Sequence, residues 1–451
     1  MGTWRFSDGR GMTSSYEWVG FGLVLMAGTA FYSYLVGRPR FRPVARLVML
    51  GFLLRVVGSL ARYYVLYDFY GGVGDAGRYF AAGRNISRQI WAFDFSFING
   101  MLSLGRPLRG TQFVEVFSGF VQSLIGPTIR GEFLFMALLG YGGLLLIAAS
   151  FIEGQSLQQA RAYLVWICVW PSLWFWPSTI GKEALILFAT GLAVYGYSGR
   201  SGRMRWIPLA LGLSLALAIR PHYALLIAVS LAAAYWLTIG RRWTPRTTLQ
   251  AAASAVLAVW MLGQSLAQLG LADADLEGIR EFVQYRADLT ERGGSNIGSA
   301  TGYGLFSTPM AFVNILFRPF LWEAHNALAA ASALEIAAFW IVVWRRRLPL
   351  RIALRYWRSD RLLRLAIPLT LMYILMIGLT FGNLGIISRQ RAIIFPFLFL
   401  LLEAVPRDYR SRAESRELGR GTRRPDRKEA FSRRQVPGLR GGGSTRPWTN
   451  P

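Results

Sequence analysis

The chain has 451 residues, of which 53% are hydrophobic and only 16% charged, with the charges bunched between long apolar runs. That composition excludes a water-soluble domain of this size, which needs far more polar surface. The net charge is +26, from 50 Lys and Arg against 24 Asp and Glu, yet no folded basic domain remains outside the apolar runs, so no nucleic-acid partner is expected.

In lipid every backbone polar group has to be satisfied within its own segment, so the apolar runs are read as helices. The fold class expected is an all-α polytopic transmembrane bundle. About eleven membrane helices are placed at 17–36, 43–66, 131–152, 162–178, 182–198, 206–219, 222–239, 249–268, 325–344, 365–382 and 392–405. The first run is too long for a cleaved leader and reads as a signal anchor after a short segment, 1–16. Cys168 stands alone inside an apolar run, which excludes a disulfide framework and a thiolate metal site.

Arginine clusters follow the first helix (Arg38, Arg40, Arg42, Arg46), the fifth (Arg200, Arg203, Arg205), the seventh (Arg241, Arg242, Arg246) and the ninth (Arg345, Arg346, Arg347, Arg351). If the eleven helices cross alternately, every cluster falls on one side. The positive-inside rule makes that side the cytoplasm, with the N-terminus outside a bacterial inner membrane. Two long outer loops result, Asp68–Arg130 and Leu269–Asn326, the first with amphipathic interfacial helices at 75–91 and 112–125. The basic tail 406–451 is expected to be disordered, cytoplasmic and drawn to anionic lipid headgroups.

Five motifs on the outer side carry chemistry, and each has a bland reading. Gly74-Asp75-Ala76-Gly77-Arg78-Tyr79 offers Asp75 as a general base or a metal-phosphate ligand, or simply as a helix N-cap. Lys182 and Glu183, in a tight turn beside Trp174 and Trp176, suit a phosphate oxygen, or snorkel to the interface. Arg220 and His222 flank Pro221 as an anion site or a structural pair. Arg318, Glu323 and His325 stand together before the ninth helix, where Phe320 and Trp322 alone would be an aromatic belt. Arg389 and Arg391 run against the positive-inside bias and are suited to gripping a phosphate or diphosphate. Together they fit transfer from a lipid phosphate or diphosphate donor to an outer acceptor. No nucleotide-binding fingerprint appears, no cofactor is required, and a divalent metal remains compatible with Asp75.

The chain resembles bacterial integral-membrane glycosyltransferases of the GT-C kind, including family 39-like enzymes and polysaccharide-polymerase relatives. The likeness rests on Gly74–Tyr79, on Pro171-Ser172-Leu173-Trp174-Phe175-Trp176-Pro177-Ser178 with Gly181-Lys182-Glu183-Ala184, and on Ser388-Arg389-Gln390-Arg391, within roughly residues 40–405. It implies a polyprenyl-linked sugar donor, a glycan or lipid acceptor in the cell envelope, and a catalytic acid at Asp75. Such enzymes often pair two acids there, and here Asp75 is followed by Ala76. The expected substrate-binding set is Tyr79, Lys182, Glu183, Arg220, His222, Arg318, Glu323, His325, Arg389 and Arg391. Three other readings remain: a polymerase of lipid-linked oligosaccharide repeats, a non-enzymatic transporter or flippase of lipid-linked saccharides, and a non-catalytic scaffold of an envelope-synthesis complex.

Overall fold

A computed structural model describes residues 14–72, 74–98, 108–199, 204–239, 244–271 and 307–406, with a few positions at 275–285 and residue 409. Residues 1–13, most of the second long loop, the arginines at 200, 203, 241 and 242, and nearly all of the tail lie outside the described residues. The fold lies within Met1–Pro406, and Arg407–Pro451 is a separate unit.

The described residues form helices and no strand. In chain order they are α1 (Ser14–Gly37), α2 (Ala45–Tyr64, extended by a π-helical turn to Phe69), α3 (Asp75–Trp91), α4 (Thr111–Ile125), α5 (Ile129–Ile152), α6 (Leu157–Val169) and α7 (Pro171–Phe175). Next come α8 (Lys182–Tyr197), α9 (Trp206–Ile219), α10 (Pro221–Ile239), α11 (Pro245–Leu269) and α12 (Ser307–Leu316). The chain closes with α13 (Ala327–Arg345), α14 (Arg347–Tyr356), α15 (Arg361–Thr380), α16 (Leu384–Arg391) and α17 (Phe395–Glu403).

Six of these, α1, α2, α5, α11, α13 and α15, are long and apolar enough to cross a membrane; α16 and α17, bent by 51°, count as a seventh if taken together. This is a helical membrane protein, with fewer membrane-length helices than the eleven segments read from sequence. The reason is length. A 14-residue helix such as α9 rises only about 21 Å, short of a hydrocarbon core of about 30 Å. The segment read at 162–178 is two helices, α6 and α7, broken at Trp170-Pro171, because proline disfavours helical backbone in the residue before it.

The core is built where α5 packs on α8, α8 on α9, and α10 on α11 and α15. At the α5–α8 crossing Gly191 meets the backbone of Gly143, and a Cβ on either would strike main-chain atoms of the other helix. Small residues let membrane helices approach this closely. One end of the bundle is tied by arginines: Arg40 and Arg205 share the Glu153 carboxylate, and Arg161 reaches the Pro43 carbonyl. The same end carries Arg346–Glu403 at 3.2 Å and the Val405 amide on Gln155.

Arg55 of α2 is fully buried and fills the α6–α7 break. Its guanidinium donates to the Cys168 and Ile167 carbonyls at 2.7 and 2.8 Å and lies 4.3 Å from the Tyr141 ring centroid. Those carbonyls belong to the last turn of α6, where no amide follows in register. Arg55→Leu is therefore expected to destabilise the protein by about 3 kcal/mol through the unsatisfied carbonyls. Thermal unfolding in detergent should show a lowered midpoint, while Arg161→Leu, at a half-exposed surface, leaves it nearly unchanged.

Candidate functional site

At the opposite end from Glu153, α8 begins with Lys182 and Glu183. Glu183 is 1% exposed. A carboxylate so buried needs partners, and two distant chain segments supply them. Arg389 Nη2 of α16 lies 2.6 Å from Oε2, while Arg220 Nη2, between α9 and α10, lies 3.6 Å from Oε1. Gln390 Nε2 donates to Oε1 at 3.3 Å, and its own Oε1 accepts from Tyr223 at 2.6 Å and Arg220 Nη1 at 3.0 Å. Gly181 makes room: a Cβ there would stand 3.1 Å from Glu183 Oε2 and 3.6 Å from Arg389 Nη2.

The α3–α4 pair sits over this cluster. The Lys182 ammonium donates to Thr111 Oγ1 of α4 at 3.2 Å, and the Thr111 side chain also lies near the Tyr79 phenol of α3. Asp75 is the first residue of α3, behind Gly74, whose φ of +150° only glycine adopts readily. Asp75 is not the N-cap that one reading suggested; that position is Gly74. Its carboxylate is well exposed, lies 3.8 Å from Arg78 and is in electrostatic range of Lys182 and Arg389. Arg78 is also 3.8 Å from Glu115 of α4. Burial pushes the Glu115 carboxyl and the Tyr79 phenol up, so Tyr79 stays neutral at ordinary pH.

Asp75, Tyr79, Lys182, Glu183, Arg220 and Arg389 thus come together, with His222 at the edge, its ring 4.9 Å from Tyr223. Arg318, Glu323 and Arg391 form a second, adjoining group. Arg318 Nε donates to Glu323 at 2.8 and 3.1 Å, and its Nη1 donates to Asn314 at 3.3 Å. The buried Arg391 guanidinium caps the Arg318 carbonyl. The exposed His325 meets the Glu323 carbonyl at 3.1 Å. Burial alone would raise the Glu323 carboxyl, but the Arg318 bonds and the Phe320 amide hold it below its ordinary value. Helix α16 joins the groups, Arg389 entering the first and Arg391 the second.

Sequence reading passed over Thr111, Glu115, Gln390 and Arg62, and over the Glu335 carboxylate of α13 that accepts from Ser172 of α7. Arg62 and Glu335, each ionisable within an apolar run, were the detectable signal. Among the described residues no three acids, histidines or cysteines gather as metal ligands. Comparison with known proteins found no matching family model, curated protein or solved structure.

Removing Glu183 strands two guanidiniums. Glu183→Ala is expected to destabilise by about 3–5 kcal/mol, and the Glu183→Ala/Arg389→Ala double variant by no more than the single one. Additive losses in a thermal or denaturant double-mutant cycle would contradict the shared pair. The Arg318–Glu323 pair contributes above the ordinary carboxylate range and is lost as pH falls through the depressed value, so Glu323→Gln should flatten the acid limb of the same unfolding curve.

Proposed function

We propose that the chain is a glycosyltransferase, passing a sugar from a polyprenyl-phosphate-linked donor to a cell-envelope glycan or lipid on the extracytoplasmic side of the membrane. The observation that carries this reading is the convergence of Lys182, Arg220 and Arg389 with the exposed acid Asp75. Fixed cations favour an anionic leaving group, and an exposed ionised carboxylate beside them can take a proton.

In the reaction the acceptor hydroxyl gives its proton to the Asp75 carboxylate as its oxygen bonds to the anomeric carbon. The bond from that carbon to the phosphate oxygen breaks, and the phosphate leaves with the electron pair. Arg389 and Arg220, oriented by Glu183, and Lys182, oriented by Thr111, meet the developing charge. Tyr79 remains a neutral donor to the sugar or phosphate. Arg318, Glu323 and Arg391 hold α16 in register, with His222 and His325 at the rim. Eleven membrane-embedded segments, with the arginine-tied end in the cytoplasm, put the Asp75 end outside, where lipid-linked sugars are presented. Helices α8 and α9, too short to span alone, then line a thinned, protein-walled interior.

Asp75→Asn and Arg389→Ala are expected to lower sugar transfer from lipid-linked donors at least 100-fold while the protein still inserts in the membrane. Transfer of labelled sugar in detergent measures this. Normal product in either variant, or donor flipping in proteoliposomes without transfer by the wild type, would overturn the assignment.

A further inference from the structure

Arg62 lies on α2, two turns beyond Arg55. Its guanidinium stands 5.3 Å from the Phe175 ring centroid and 5.1 Å from that of Trp176. Its Nε is buried with no hydrogen-bond partner. Of the charged groups in range, Arg389 repels it, and Glu183 is already taken by Arg389, Arg220 and Gln390. A guanidinium drawn into an apolar bundle, stacked on two rings and left beside another arginine is costly unless an anion joins it. A cavity of about 100 Å³ shares the Trp176 wall with Arg62 and is also walled by Tyr70, Pro319, Asn326, Ser332 and Ser388; the cations Arg62, Lys182, Arg220 and Arg389 stand behind this lining, Arg389 one residue past Ser388. The Nε of Arg389 is also buried without a partner.

Charge decides what the anion is. The cluster holds five cations, Arg62, Arg78, Lys182, Arg220 and Arg389, against three carboxylates, Asp75, Glu115 and Glu183, a difference of +2. A sugar linked through one phosphate is a diester of charge −1, and one linked through a diphosphate carries −2. Without Arg62 the remaining four cations leave +1, enough for the single phosphate.

We propose that Arg62 completes a diphosphate site with Arg220, Arg389 and Lys182, so that the lipid-linked donor carries two phosphates. This rests on the glycosyltransferase reading for the word donor, but not for the binding itself. The Trp176 ring packs against this half-buried guanidinium, where an added charge interaction is stronger than in open water. Transfer releases the polyprenyl diphosphate intact: the anomeric carbon–oxygen bond breaks, the diphosphate keeps the electron pair, and the phosphorus–oxygen–phosphorus bridge is untouched.

The probes are a glucosyl geranyl diphosphate of charge −2 and a glucosyl geranyl monophosphate of charge −1, titrated into the full chain in nanodiscs and read by tryptophan fluorescence and by thermal protection. The wild type should bind the diphosphate about tenfold or more tightly over the monophosphate. Arg62→Gln should bring the ratio to about threefold or less, with Arg62→Lys in between, while monophosphate binding changes little. Equal wild-type affinity for the two probes overturns the proposal whether or not any variant folds, and so does a preference that survives in a folded Arg62→Gln. Sugar transfer in the same nanodiscs separates the two ideas. Transfer from a monophosphate donor that needs Asp75 but not Arg62 sinks the diphosphate and leaves the transferase. A diphosphate preference that needs Arg62, with no transfer from either donor, does the reverse.

Discussion

The carboxylate of Glu183 is the point on which the structure turns. It is closed off from solvent at the start of α8, and a lone buried carboxylate would be intolerable there. Arg389 and Arg220 reach it from positions 206 and 37 residues away in the chain, and Gln390 and Tyr223 complete its surroundings. The same contacts that neutralise Glu183 therefore fix where α16 and the α9–α10 turn sit. Fold and site are not separable at this end of the bundle, because the guanidiniums offered to a ligand are held by the bond that holds the helices.

A second arginine solves a different problem. Pro171 ends α6, and α7 is a single turn, so the chain must cross an apolar interior without helical hydrogen bonds. Arg55 supplies donors to the carbonyls that the break leaves open, and Gly58, one turn further along α2, lets the Trp174 backbone pack against that helix. The break re-aims the chain so that Trp176 faces Arg62 and α8 starts beside α4. Glu335, reaching the Ser172 amide and hydroxyl from α13, holds the other side of the same break. Two ionised-type side chains in apolar helices are thus explained by one irregularity in the backbone, the circumstance in which membrane interiors tolerate them.

Composition and apolar run length were enough to read a helical membrane protein, because lipid leaves the backbone little choice. The number of membrane-length helices was not readable the same way. The runs at 182–198 and 206–219 end almost where α8 and α9 do, at Tyr197 and Ile219, and are already too short to span alone; hydropathy marks them as apolar but does not tell a crossing helix from one embedded among others. For the site, the arginines at 220, 389 and 391 could be picked out because each stands at the edge of an apolar run, and Asp75 because it opens an amphipathic stretch behind a glycine. Thr111 and Gln390 could not be, since a neutral polar residue in an amphipathic or short helix violates nothing, and only the fold brings them to Lys182 and Glu183. Arg62 did carry a signal, but one diluted by Arg55 on the same helix, which has a wholly structural reason to be there.

The two halves of the site differ in rigidity, and that difference bears on how it works. Arg389, Arg220 and Gln390 are locked to a buried acid and to one another, so their positions are set before any ligand arrives. Asp75 is exposed at the first turn of α3, entered through a glycine at positive φ, with only the long contact to Arg78. Preorganised cations lower a barrier because they need not reorganise as charge develops. A base that must accept a proton and return it to solvent gains from the opposite arrangement, access to water and a loosely held carboxylate. Paired acids would set two like charges side by side and raise one of their affinities for protons. With Ala76 in the second place, Asp75 has no acid directly after it, and the charges around it are the cations Arg78, Lys182 and Arg389. As the proposed base, Asp75 therefore stands without a second acid to share its proton, with cations facing it.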